Sequence, residues 1–354
     1  MSDGLSGIFS DSSSNIRGKI LGIYALLIAA NVAAWLWALA TFRSFPILLG
    51  TAVLAYTFGL RHAFDADHIA AIDNVTRKLM QEGKRPVAVG LFFSLGHSTI
   101  VVGLSIAIAI TTAALQSQFD MLKSIGGVIG TLVSALFLFI IAIANIFVLI
   151  SVYRAFLTVK NGGRLLEQDL DLMLANRGFL SRIFKRLFRI IERSWHMYPL
   201  GLLFGLGFDT ATEVGLLGIS ATQAAQGLSV WSILVFPALF TAGMTLMDTT
   251  DSILMLGAYG WAFIKPIRKL YYNLTITAVS VVIAVIIGGL EALNLIGDQL
   301  GLTDDGGFWG IIGTLSDNFG ILGYLIVGIF VAAWLLSYAI YRFNRYDDIE
   351  VSTA

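Results

Sequence analysis

Between Gly59 and Asn74 the chain reads GLRHAFDADHIAAIDN, and this stretch carries Arg61, His62, Asp65, Asp67 and His68. A third histidine, His97, lies in FFSLGHSTIV. Two acidic pairs follow, Asp209 and Glu213 in GLGFDTATE and Asp248 and Asp251 in GMTLMDTTDS. The chain has no cysteine, so these groups form a donor set of nitrogen and oxygen only. Neutral imidazole together with carboxylate suits a divalent first-row metal such as Ni, Co, Zn or Mn, whereas carboxylates alone would suit Mg or Ca. The excess of negative charge calls for a cation or for bound protons, because ionised carboxylates are costly in a low dielectric.

All of these residues lie in apolar runs. A charged side chain at the centre of a bilayer costs about 3 kcal/mol on insertion scales. One intramembrane Asp alone is often a helix–helix hydrogen-bonding residue, and Thr210, Thr212, Thr249 and Ser252 could be ordinary interhelical contacts. The clustering of so many such groups needs a joint explanation, and a shared cation supplies one.

Helical spacing sorts the residues. Asp209 and Glu213 are four apart and Asp248 and Asp251 three apart, so each pair shares a helix face. On a regular helix, steps of about 100° put His62, Asp65 and His68 within about 120° of arc. Asp67 falls off that arc. It either orients a histidine, as carboxylates do for metal-bound imidazoles, or the helix is distorted there. Arg61 shares the side of His68 and is a candidate counter-ion for a carboxylate. Ser98, Thr210, Thr249 and Asn145 are candidate supporting polar residues. His196, after Trp195, reads as interfacial.

The elements that position these groups are membrane helices. With 57% hydrophobic and 13% charged residues, the 354-residue chain has a membrane composition and zero net charge. About 20 apolar residues cross a bilayer. By that measure the expected fold is an all-α membrane protein with eight transmembrane helices near 20–41, 48–74, 87–112, 125–156, 198–220, 231–257, 272–297 and 319–342. Arg77 and Lys78 are taken to end the second span, and the fourth is long enough to be tilted or to extend past the membrane. With both ends cytoplasmic, 20 of the 23 Lys and Arg fall inside, leaving Arg43 and Lys123 outside and Arg61 within a span. No cleaved signal peptide is read at the N-terminus.

The organisation expected is a cytoplasmic tail (1–19), four helices (20–156), a cytoplasmic connector (157–197), four more helices (198–342) and a cytoplasmic tail (343–354). In the connector, residues 178–195 read as a basic amphipathic helix lying on the inner leaflet. The two halves echo each other. AFDADH in span two is like GFDTAT in span five, and LGHST in span three is like LMDTT in span six. Under the topology above, the echo predicts an inverted repeat relating spans 2–3 to spans 5–6, with the site at their interface. Glycines 59, 96, 205, 207 and 243 flank the motifs, which suits close packing or local unwinding.

These motifs resemble the nickel/cobalt transporter (NiCoT) family, permeases of eight spans. The second-span signature RHAxDADHI is met by Arg61 to Ile69. The third-span signature is met by Gly96-His97-Ser98, the fifth by Gly207 to Glu213, and the sixth by Gly243-Met244 and Asp248 to Asp251. The resemblance implies uptake of Ni2+ or Co2+ across the cell membrane, with the histidines and acids as the metal path.

The function expected is secondary transport. No G-x4-GK-[ST] loop is present, and no cofactor, nucleic acid or ATPase subunit is called for. The expected partners are the metal ion and the lipid bilayer, with oligomeric state left open. Efflux of the same metals is the rival direction. An intramembrane metalloenzyme is the rival class, and it is disfavoured because HExxH is absent and Glu213 precedes Val-Gly-Leu-Leu.

Overall fold

The apolar runs become helices. The computed structural model describes residues 7–12, 14–110, 116–160, 191–206, 211–262, 266–302 and 307–344, and no strand occurs among them. Helix α1 (Ile16–Phe42) is followed by α2 (Pro46–His62), α3 (Ala66–Gln81), α4 (Val89–Ile110) and α5 (Gln116–Lys160). The second half holds α6 (Met197–Phe204), α7 (Ala211–Ala225), α8 (Val230–Ile233), α9 (Val235–Ala262), α10 (Pro266–Leu300), α11 (Gly307–Asp317) and α12 (Phe319–Phe343). Among the described residues six stretches are long and apolar enough to cross a membrane, and α2 with α3 makes a seventh if that bent pair is one span. Helix α5, at 45 residues, is about 68 Å long at 1.5 Å per residue, roughly twice the hydrocarbon thickness. That agrees with a fourth span running past the membrane. The basic amphipathic stretch of the connector lies mostly outside the described residues, which omit 161–190.

The second span departs from the regular helix expected. Helix α2 ends at His62, and α3 begins at Ala66 after a bend of 50°. Asp65, at the head of α3, is extended (φ −65°, ψ 144°). The helix also runs past Arg77 and Lys78. Helix α3 continues to Gln81, with Arg77 only 1% and Lys78 only 4% exposed. Burial of Arg77 is tolerated because its guanidinium donates to Asn74 (2.8 Å) on its own helix, to Thr277 (3.1 Å) on α10 and to Asn145 (3.5 Å) on α5. A basic residue there closes a polar network between helices, where Arg77 had been taken as a marker of the span's end.

Helix α9 is central, packing on α1, α2, α3, α4 and α7. Two of the tightest crossings use one device. Tyr56-x-x-Gly59 on α2 meets Phe240-x-x-Gly243 on α9, each glycine lying against the carbonyl of the other's aromatic residue. Phe93-x-x-Gly96 on α4 meets Tyr198-x-x-Gly201 on α6 in the same reciprocal way. A Cβ at any of the four would press into backbone, so close approach of these helices requires glycine. The glycines expected to pack closely do so at positions 59, 96, 205 and 243, while Gly207 lies outside the described residues.

Candidate metal site

The bend after His62 and the glycine crossings bring three imidazoles together. His62 closes α2, His68 lies in the first turn of α3, and His97 lies midway along α4. Their ring centroids are 4.7 Å (His62–His68), 4.8 Å (His62–His97) and 4.9 Å (His68–His97) apart. One nitrogen from each falls within 4.8 Å of the others, and all three residues are buried. Phe93 stacks edge-on against His68 at 4.8 Å, and Phe240 lies 5.5 Å from His62. These two rings form apolar walls beside the histidines.

A carboxylate completes the tightest part of the cluster. His62 Nε2 and His97 Nε2 are 3.0 Å apart, His97 Nε2 is 2.7 Å from Glu213 Oε1, and His62 Nε2 is 3.9 Å from the same oxygen. The point equidistant from these three atoms, the circumcentre of that triangle, lies about 2.0 Å from each. That matches ordinary metal–nitrogen and metal–oxygen distances of about 2.0–2.2 Å. His68 presents Nδ1 to Asp248 Oδ2 at 3.3 Å, and its Nε2 has no hydrogen-bond partner among the described residues. A histidine whose one nitrogen is held by a carboxylate offers the other as a lone pair.

The surrounding residues orient this set. His62 Nδ1 faces Thr212 Oγ1 at 3.2 Å and Asp65 Oδ2 at 2.8 Å, which turns Nε2 toward His97. The Asp65 contact is close but off the hydrogen-bonding direction, since that oxygen makes no hydrogen bond. Asp67 and Glu213 each lie in the first turn of a helix, where the positive end of the dipole favours a carboxylate. Asp67 is half-buried, has one oxygen without a partner among the described residues and lies within electrostatic range of all three histidines. Gly90 lets α4 approach the carbonyl of Asp248, and Gly205 approaches that of His97.

The other expected site residues divide. Ser98 and Thr249 are buried with hydroxyls unpartnered among the described residues, and Asp251 has one buried oxygen in the same condition. Arg61 is exposed at the end of α2. Asp209 and Thr210 lie outside the described residues. Asn145 sits apart from the histidines, donating to Asn74 at 2.8 Å in the Arg77 network. The sequence reading counted Thr212 as an ordinary contact, yet it holds His62. That reading also overlooked Asp73, fully buried in α3, whose carboxylate accepts from Tyr259 and from Ser280 at 2.7 Å. In addition, Glu291 on α10 accepts from Ser134 at 2.8 Å. Asp73 and Asn74 end the motif stretch itself, and their burial in sequence with His68 was the available signal.

A family profile described as high-affinity nickel-transport protein matches residues 48–340. The chain belongs to that family. Its matched region contains every site residue from Arg61 to Asp251. Among relatives of this family, a high-affinity nickel transport protein of Cupriavidus necator is 60% identical over 98% of both chains. The nickel transporter NixA of Staphylococcus aureus is 44% identical over 94% of this chain and 97% of its own. The cobalt transport protein NhlF of Rhodococcus rhodochrous is 38% identical over 93% of each. No solved structure matches the chain. With its several long apolar helices, this family member is a multi-pass membrane protein, and the three relatives above are named as transport proteins or transporters.

Proposed function

We propose that the chain imports Ni2+ or Co2+ into the cytoplasm, the ion passing through an intramembrane site of His62, His68, His97 and Glu213. The observation that carries this reading is the donor triangle of His62, His97 and Glu213, whose centre lies at metal-bonding distance from all three atoms. Asp65, Asp67, Asp248 and Asp251 line the same region. They stabilise a dication during dehydration and passage, as does Asp209 on the sequence reading. The names of relatives include both nickel and cobalt transport, which suits a nitrogen–oxygen site open to either ion.

An inside-negative membrane potential supplies about 2.3 kcal/mol per charge per 100 mV, and roughly twice that for a dication. That is enough to drive accumulation without a nucleotide. Both termini are cytoplasmic on the distribution of Lys and Arg. The fold reading is eight spans with an inverted repeat. Span two is interrupted between His62 and Ala66, within AFDADH, and in span five α6 ends at Phe204, shortly before the echoing GFDTAT. The two reciprocal aromatic–glycine crossings pair span two with six and span five with three, as such a repeat requires.

Radiolabelled nickel uptake into proteoliposomes under an imposed inside-negative potential tests the proposal. Uptake that rises with the potential and is competed by cobalt is expected. Absence of uptake, or nickel protection of cells that express the protein, contradicts it.

A further inference from the structure

One end of the bundle is closed by a hydrogen-bonded clasp that the metal site does not use. Lys19 of α1, 5% exposed, donates to Ser10 O (2.8 Å), Ser12 O (2.7 Å) and Ser12 Oγ (2.8 Å). These three bonds saturate the ammonium group and fasten residues 10–12 to α1. Between the two anchor residues, the Asp11 carboxylate accepts from the Ser194 backbone N–H at 2.9 Å and from the Ser194 hydroxyl. The Asp11 carbonyl accepts from the Arg85 N–H at 2.8 Å. Two lysines reach across to the same segment, Lys78 to the carbonyl of Ile191 and Lys84 to that of Glu192 at 2.7 Å. Phe9 packs edge-on against Phe92 at 5.8 Å, and Ile8 joins the apolar cluster of Ile23, Met80 and Val87.

The elements joined here are those that carry the metal site. The clasp binds the end of α3, the approach to α4 and the turn leading into α6. His68, His97 and, beyond α6, Glu213 lie further along the same spans. From His68 to Lys78 is about 15 Å along α3. An ion leaving the site toward this end would emerge beside elements that the clasp holds together. Its bonds run to serine and to backbone, in part-buried surroundings except for the buried one from Lys78 to Ile191. Each is worth about 1–3 kcal/mol, weak enough to part and re-form in a transport cycle.

We propose that this clasp is the cytoplasmic gate, closed in this structure, and that metal release requires Asp11 to part from Ser194. The proposal rests on the import reading and on the cytoplasmic assignment of the end that holds Lys19, Lys78, Lys84 and Arg85.

The chain has no cysteine, so a pair can be introduced cleanly. Asp11→Cys with Ser194→Cys is reconstituted in proteoliposomes and joined by mild oxidation or by a short bis-methanethiosulfonate. Nickel uptake by the joined protein is expected to fall at least tenfold and to return on reduction, with nickel binding to the solubilised protein unchanged. Asp11→Ala, which loosens the clasp, is expected to keep wild-type uptake or exceed it. Full-rate uptake by the joined protein, or failure of both reagents to join the pair, overturns the gate while leaving the import reading intact. Labelling of the Asp11→Cys single variant by an impermeant maleimide in intact cells also overturns the gate. No uptake by the wild-type protein overturns the import reading, and the gate with it.

Discussion

His62 Nε2 lies 3.0 Å from His97 Nε2, across the boundary between the second and third spans. Two nitrogens each about 2.1 Å from one ion and at right angles to each other would be separated by almost that distance. The rings come from helices whose approach is set by glycine, and Glu213 joins them from the other half of the chain at 2.7 Å from His97. A dication bound there would offset the charge of a carboxylate that is otherwise buried among imidazole rings.

Replacing a member of this set should stop transport without removing the protein from the membrane. His62→Ala and His97→Ala are each expected to lower radiolabelled nickel uptake by more than about a hundredfold, exceeding the 10–100-fold typical of residues that only support a ligand. Glu213→Gln keeps the shape and removes the charge, so it should weaken nickel binding in an equilibrium assay at unchanged protein level. Wild-type uptake in any of the three would remove that residue from the site.

Thr212 acts on His62 through a 3.2 Å contact to Nδ1. Thr212→Val keeps the shape and loses the oxygen, and it should reduce nickel affinity by about 10-fold or more. Thr212→Ser should restore most of the affinity. Equal affinity in the valine and serine variants would show that the hydroxyl does not orient the ring.

This division between ligand and support was only partly legible in the sequence. His62, His68 and His97 stood out because ionisable residues in apolar runs carry their own energetic argument, and helix spacing put Asp248 and Asp251 on one helix, α9. The bend after His62 was not legible as such. The regular-helix arc flagged Asp67 as the residue that did not fit, and the chain resolves that misfit by beginning a new helix at Ala66. Arg77 misled the reading because basic residues near the end of an apolar run ordinarily mark a loop. Nothing local showed that Asn145 and Thr277, 68 and 200 residues away, would receive its guanidinium. Pairings of that kind depend on which helices become neighbours.

The Arg77 network should matter for stability more than for ligand chemistry. Arg77→Ala leaves Asn74, Asn145 and Thr277 without their shared donor, and hydrogen bonds to charged groups contribute about 1.5–3 kcal/mol each. A lowered thermal transition in detergent is expected, with weaker folding yield. An unchanged melting profile would mean that water replaces the guanidinium at no cost.

Two glycines give opposite expectations from one substitution. Gly59→Ala drives a methyl group into the carbonyl of Phe240. It should destabilise by at least about 1–3 kcal/mol, as overpacking does, and it should impair uptake by moving α2 off α9. Gly103→Ala in α4 meets nothing within 4 Å. It should be neutral or stabilising by up to about 1 kcal/mol, because alanine favours helix. Thermal denaturation of the two purified variants side by side checks the pair.

X-ray absorption at the nickel edge, on protein loaded with one equivalent of Ni2+, addresses the central claim most directly. Outer-shell scattering from two or three imidazoles is expected, with metal–nitrogen distances of about 2.0–2.1 Å, and one imidazole fewer in His97→Ala. A nickel shell of oxygen alone, or a spectrum unchanged in His97→Ala, would contradict a site built on His62, His68 and His97.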